Sequence, residues 1–209
     1  MDSCCVATKE IELKINRALK EFKSNWNSSE KVFEEMIYCL LTPQSSAKGA
    51  TKTITLLKEH NLLETGTFLE KEKYLRNIRF HKTKAKRLCE AQEKFSKNKI
   101  KRILTKNGLP EKPLKTREFL LKEVNGFGMK EASHFLRNIG FFEEIAILDR
   151  HILKNLFKIE VIEEVPRHIT PKKYIEIEDK MKSFCKKNKI DFAKLDLIFW
   201  SNETGEVMK

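Results

Sequence analysis

Lys130 stands two residues after the second glycine of a Gly-Phe-Gly turn, and Asp149 directly follows the apolar run Ile145, Ala146, Ile147 and Leu148. A deprotonated lysine amine is a nucleophile toward an electrophilic carbon and forms Schiff bases with carbonyl carbons. In the first turn of a helix the positive end of the dipole works against the ammonium, and partial burial acts in the same sense. A nearby carboxylate such as Asp149 acts in the opposite sense. The same lysine could equally hold a phosphate or be solvated, which is the commoner lot of a lysine in isolation. Asp149 has two compatible readings. It could cap a helix starting at Arg150, and it could stabilise positive charge developing on a sugar.

The glycines before the lysine, Gly126 and Gly128, flank Phe127 in the segment VNGFGMKEASHFLRNIG. Glycine permits positive φ and a close approach of backbone to a ligand. The amides of residues 126–130, at a helix N-terminus, are suited to a phosphate oxygen. An ordinary turn between helices also uses glycines. Here Val124 before the turn, Phe127 within it and an amphipathic helix after it make the pattern more specific than a bare pair of glycines.

The elements that must position these groups read as helices. Ile11, Ile15, Leu19 and Phe22 recur at helical spacing, as do Val32, Phe33, Met36, Ile37, Leu40 and Leu41 after a cap at Ser28 or Ser29. Pro43 ends that helix, and Ser45 or Ser46 caps the next, which turns Ala47, Ala50, Ile54 and Leu57 inward. Thr67 and Glu70 have capping-box spacing. After Phe80 a helix carries Ala85, Leu88, Cys89, Gln92 and Phe95 on one face. Gly108, Pro110 and Pro113 mark a loop over 106–113, and 161–170 reads as a linker. Thr170 and Pro171 supply an N-cap and an N1 proline, and Asp191 caps a last helix through Trp200, with Gly205 placed as a C′ residue. The expected class is all-α, about ten helices, with almost no strand alternation.

The totals narrow the partners. The 209 residues are 40% hydrophobic and 34% charged, with a net charge of +12 spread along the chain. Such a balance favours a polyanion, nucleic acid first, although a lysine-rich solvated surface would have the same charge. Of the five cysteines, Cys39 and Cys89 lie on apolar helical faces, whereas Cys4 and Cys5 read as loose thiols. No spacing among them suits zinc, and no cluster near the C-terminus suits an iron–sulfur centre. A reducing compartment is expected, and no apolar run has membrane-spanning length.

Taken together, GFGMKEA followed by LDRH resembles the helix-hairpin-helix DNA glycosylases, in which a lysine and an aspartate at these positions mark the bifunctional glycosylase/lyases. LLTPQSSAKGATKTI is similar to the family segment that reaches into the space left by an extruded base, and IRFHKTKAKRL to its second DNA-facing segment. The last stretch, LDLIFWSNETGEVMK, is similar to the type-two 8-oxoguanine DNA glycosylase/AP lyases of archaea and bacteria. The absence of a cysteine cluster separates the chain from endonuclease-III-like enzymes.

The resemblance implies a two-lobed helical fold without an iron–sulfur cluster. One lobe covers about 25–160 and includes the hairpin region 118–140; the other covers about 1–24 plus 161–209. It implies Lys130 as nucleophile and Asp149 as its charge partner, with no cofactor and no metal. Trp200 would stack on the flipped base, Phe80 would lie near it, and the α-carboxylate of Lys209 would read the N7 proton that distinguishes 8-oxoguanine from guanine. Gln44, His81, Lys84, Gly126 and Gly128 would contact DNA. The implied partner is double-stranded DNA carrying 8-oxoguanine or abasic sites, bound by a monomer in a prokaryotic cytoplasm. A glycosylase for another damaged base, and a non-catalytic helix-hairpin-helix module, are the competing expectations.

Overall fold

A computed structural model describes residues 5 and 7–205. Among them the chain forms eleven helices and no strand: α1 (Lys9–Asn25), α2 (Ser29–Leu41), α3 (Ala47–Glu59), α4 (Phe68–Leu75), α5 (His81–Phe95), α6 (Lys97–Lys106), α7 (Pro113–Glu123), α8 (Met129–Asn138), α9 (Arg150–Lys158), α10 (Pro171–Asn188) and α11 (Phe192–Thr204). Local chemistry sets their starts. Ser28, Ser46, Thr67, Asp149, Thr170 and Asp191 each accept a backbone N–H of the first turn. At α4 the box is reciprocal, with Thr67 N–H donating to Glu70 Oε2 at 2.7 Å. The last helix runs past Trp200 to Thr204, where Gly205 in a left-handed conformation ends it.

Helix α2 is buried along ten of its thirteen residues, Val32–Leu41. All of these but Glu34 and Glu35 are apolar, and so broad an apolar surface must be enclosed; α1, α3, α5, α6 and α8 surround it. Phe127, Phe135, Leu136 and Ile139 join this first core, which extends as far as Ile145. A second core gathers Ala146, Leu148, Ile152, Leu156, Tyr174, Ile177, Met181, Leu195 and Phe199. A smaller cluster of Ile15, Leu19 and Phe22 with Phe142, Leu197 and Ile198 fastens α1 to α11.

Two expectations need correcting. The packing changes hands between Ile145 and Ala146, so α9 belongs with α10 and α11 rather than with the segment before it. Helical periodicity alone could not assign that short helix to a core. Cys5 is not loose: it is buried in the second core. Cys39 is fully buried and Cys89 only partly so.

Candidate active site

Helix α7, the turn over Val124–Gly128 and helix α8 form a helix-hairpin-helix unit. Val124 closes α7 by donating to Leu120 O, and Phe127 N–H donates to Val124 O at 3.0 Å. Phe127 is buried against Phe135, with ring centroids 6.0 Å apart, so the turn is pinned through its apolar middle residue. The two glycines have different jobs. Gly126 has φ +99°, and a Cβ there would stand 2.7 Å from the Arg87 guanidinium. The positive φ demands glycine, and a side chain there would also have to push the Arg87 head aside. Gly128 has an extended backbone, and its N–H donates to Glu131 Oε2 at 3.2 Å, capping α8.

Lys130 follows in the first turn of α8. Its side chain lines a cavity of about 270 Å³ that also includes His134 and Arg137 of the same helix, Tyr38 and Thr42 of α2 and its end, Ser45, Asp149, His151, and Asp196 and Trp200 of α11. The order of residues explains the convergence. Lys130, His134 and Arg137 are spaced i, i+4 and i+7 on α8, and Asp196 and Trp200 are i, i+4 on α11, so each set shares a helical face.

Asp149 performs the cap expected of it. Its Oδ1 accepts from His151 N and Ile152 N, both at 2.9 Å. Its Oδ2 has no hydrogen-bond partner among the described residues, which leaves half of a cavity-lining carboxylate uncommitted. The strand-like run before it is tied down by polar groups. Ala146 N–H donates to Glu178 Oε1 at 2.7 Å, Leu148 N–H donates to the Tyr174 hydroxyl at 3.0 Å, and that hydroxyl donates to Ala146 O at 2.8 Å. Glu178 is clamped by Arg117 of α7 through two bonds of 2.8 and 2.9 Å, with both side chains buried. Arg117 also donates to Ser133 of α8 at 3.2 Å. One buried network thereby fixes the aspartate's approach to the lysine's helix. Burial pushes the Tyr174 hydroxyl far above the usual tyrosine range, so it stays a donor.

Trp200 stands edge-on to His151, with centroids 5.0 Å apart, and His151 Nδ1 lies 2.5 Å from Glu203 Oε2. Glu203 also accepts from Asn155 at 2.8 Å, fastening α11 to α9 beside the indole. Asp196 lies 3.6 Å from the buried Arg137. Burial raises its carboxyl above the ordinary aspartate range; Arg137 opposes that rise and Asp149 adds to it. Tyr38, His134, Arg137, His151 and Asp196 were not singled out from the sequence. The i+4 and i+7 spacing from Lys130, and i−4 from Trp200, was the signal available.

The other expected residues that the structure describes lie outside this cavity. Gln44 and Phe80 are exposed, in separate loops, and both have left-handed backbones at φ 54° and 57°. His81 is half-exposed, with Nε2 3.1 Å from Glu72. Lys84, expected on the DNA-facing surface, is 1% exposed. Its ammonium donates to Leu41 O, Pro43 O and Ser45 Oγ at 2.7, 2.8 and 2.9 Å, and so has no proton left for a phosphate. Lys209 lies outside the described residues, as does Cys4. Among the described residues no group of three His, Cys, Asp or Glu side chains is placed to hold a metal ion.

A hairpin that delivers a lysine into a cleft shared with a helix-capping aspartate, built wholly from helices, is the helix-hairpin-helix DNA glycosylase fold. The family model described as 8-oxoguanine DNA glycosylase matches residues 15–190. A Fusobacterium nucleatum protein named 8-oxoguanine DNA glycosylase/AP lyase is 45% identical over 206 residues, covering 96% of this chain and 94% of its own. The crystal structure of the Methanocaldococcus jannaschii 8-oxoguanine glycosylase/lyase with a 15mer DNA containing 8-oxoguanine superposes with a TM-score of 0.84 at 33% identity, covering 96% of this chain and 94% of that one. The crystal structure of the Thermotoga maritima 8-oxoguanine DNA glycosylase superposes equally well, TM-score 0.84, at 28% identity and the same coverage. The chain belongs to the 8-oxoguanine DNA glycosylase family.

Proposed function

We propose that this protein excises 8-oxoguanine from double-stranded DNA and cleaves the resulting abasic strand, with Lys130 as nucleophile. The observation that carries the reading is the meeting of Lys130, the half-committed Asp149 carboxylate and Trp200 around one cavity.

The nucleotide must first leave the helical stack, at a cost of a few kcal/mol. Gln44 and the Phe80–His81 turn are the exposed points that would enter the duplex. Once extruded, the purine stacks on Trp200, a contact of the kind that contributes about 1–3 kcal/mol. The hairpin amides hold a backbone phosphate while the basic surface, +12 overall, supplies general affinity for DNA. Lys130 Nζ then attacks C1′ as the bond from C1′ to N9 breaks, and the base leaves with a proton. Asp149 stabilises the positive charge that spreads over C1′ and O4′ as this bond stretches. Opening of the sugar ring leaves a Schiff base between Lys130 and C1′. Loss of a C2′ proton then expels the 3′ phosphate by β-elimination. Water frees the lysine by hydrolysing the imine.

The oxidised base differs from guanine by a carbonyl at C8 and a proton on N7. An acceptor aimed at N7–H favours it, because guanine would present an acceptor to that acceptor. An oxygen of the Lys209 main-chain carboxyl group, not its ammonium, is the acceptor proposed for this contact. Removing Lys209 should then weaken 8-oxoguanine excision more than binding to undamaged duplex, and equal losses would count against it.

The central experiment is borohydride trapping on a duplex containing 8-oxoguanine. The wild-type protein should form a covalent adduct and Lys130→Gln none. An adduct that survives in Lys130→Gln removes Lys130 from this role.

A further inference from the structure

Lys84, one of two fully buried lysines among the described residues, spends its ammonium on the loop that follows α2. Taking an ammonium out of water costs several kcal/mol, and an apolar side chain would fill the same space without that cost. What it holds is specific. Leu41 and Pro43 flank the end of α2, and Ser45 stands on the other side of Gln44, so three acceptors of one short loop converge on a single nitrogen. The main chain of Lys84 meets the other loop: its N–H donates to Phe80 O at 2.9 Å, the first hydrogen bond of α5. Lys84 is therefore a strut, with one end on the residue at the tip of the Phe80 turn and the other around Gln44.

Both tips are non-glycine residues with left-handed backbones. Such conformations are strained and persist only where the surroundings over-determine them. Both are exposed, Phe80 by 54%, so burial of their own side chains does not explain the strain. Burial, with Arg87 adding to it, lowers the Lys84 ammonium to about 8, and its three donor protons go to the loop rather than to an anion.

We propose that Lys84 is a positioning residue that sets the separation of Gln44 and the Phe80 turn, and through it the extrusion of the damaged nucleotide. The proposal rests on the reading of those two loops as the points that enter DNA. It assigns Lys84 no contact with the nucleic acid and no part in the steps at C1′. Two tips that must enter one duplex together at a fixed spacing need a rigid connection. Packing alone leaves loop carbonyls at a helix end unsatisfied, and these carbonyls would otherwise turn toward water.

The test compares a substrate that requires extrusion with one that does not. Single-turnover excision is measured on a duplex with paired 8-oxoguanine, and borohydride trapping is measured on single-stranded DNA carrying a preformed abasic site. Lys84→Met keeps the length of the side chain and removes its donors. It should lose about 100-fold on the paired duplex and no more than about threefold on the abasic strand. Placing an abasic site opposite the lesion, which cheapens extrusion, should recover most of the loss. Circular dichroism checks that the variant folds; if it does not, Lys84→Gln, which keeps a shorter donor at the same place, should show the same selectivity at about threefold to tenfold. Equal losses on both substrates, or no loss on either, overturn the proposal and leave Lys84 a structural cap of α2. Absence of wild-type adduct on both substrates would instead overturn the functional reading itself.

Discussion

The two sides of the cavity are held by different forces. The lysine side is mainly apolar: α8 is set against α2 by Ala132, Phe135, Leu136 and Ile139, with Asn138 donating to Glu35 Oε2 at 2.8 Å at its far end from Lys130, and its hairpin is pinned by Phe127. The aspartate side is polar where it matters. Among the described residues the run 145–148 has no sheet partner; Ala146 N–H, Ala146 O and Leu148 N–H are taken up by Glu178 and Tyr174 of α10. Apolar packing tolerates small shifts, because many weak contacts share the load. A carboxylate that is clamped bidentately by Arg117 and accepts one backbone N–H besides has a single solution. The side that must place a charge to within a fraction of an ångström is the side built from hydrogen bonds.

The sharpest way to break this contrast is to remove half of the clamp. Glu178→Leu or Arg117→Leu leaves an unpaired buried charge and should cost about 3–5 kcal/mol, read as a lowered urea midpoint. The double variant Arg117→Met with Glu178→Leu should recover most of that stability and still lose activity, because Ala146 N–H no longer has its acceptor. If the double variant is as active as wild type, the network does not position Asp149. On the apolar side, Phe135→Ala should also cost about 3–5 kcal/mol, by leaving a cavity.

Next in size is Gly126→Ala, which combines positive φ with a clash against Arg87 and should cost about 1–3 kcal/mol. Gly128→Ala should cost clearly less, since its backbone is extended and only the Glu131 carboxylate need yield. Asp149→Ala removes the cap of α9 and should cost about 0.5–2 kcal/mol, whereas Asp149→Asn keeps a capping oxygen and should be nearly neutral for stability. Both should lose excision, and an Asp149→Asn protein with full activity would reduce Asp149 to a cap.

The smallest effect is on pH dependence. Burial lowers Lys71 and Lys84 to about 8 from the free-lysine value of 10.5. Between about pH 8 and 10.5 the unfolded chain then binds more protons at these two sites, so they make stability rise with pH. Burial raises Cys39, Cys185, Tyr38 and Tyr174, so above about pH 9 the folded chain holds protons that the unfolded chain has lost, and stability falls. Urea midpoints measured from pH 7 to 10 should pass through a maximum near pH 9. Lys84→Met should show a smaller rise before it.

The contrast also explains how much could be read from the sequence. Caps are local, so Ser28, Thr67 with Glu70, Asp149 and Thr170 with Pro171 were legible as residue types a few positions apart. The hairpin was legible for the same reason, and α2 through its unbroken apolar face. Arg117 and Glu178 are 61 positions apart and looked like two of many charged surface residues. Nothing local announces such a pair. Lys84 was misread because the run HKTKAKR looks like a basic surface. Its spacing to Leu88, Ala91 and Phe95 puts it on the buried stripe of α5, a hint that periodicity contained and charge obscured. The split of the two glycines, one demanded by φ and one not, needed coordinates.

Asp149 spends one oxygen on two amides of α9 and keeps the other toward the cavity. A carboxylate on a flexible side chain would have to turn toward a cation as the cation formed, and water would have to turn with it. This one is already oriented, its rotation stopped by the helix it begins. Under the proposed reaction, the nuclei that must move lie almost entirely in the nucleotide, and the barrier contains little solvent or side-chain reorganisation on the aspartate's side.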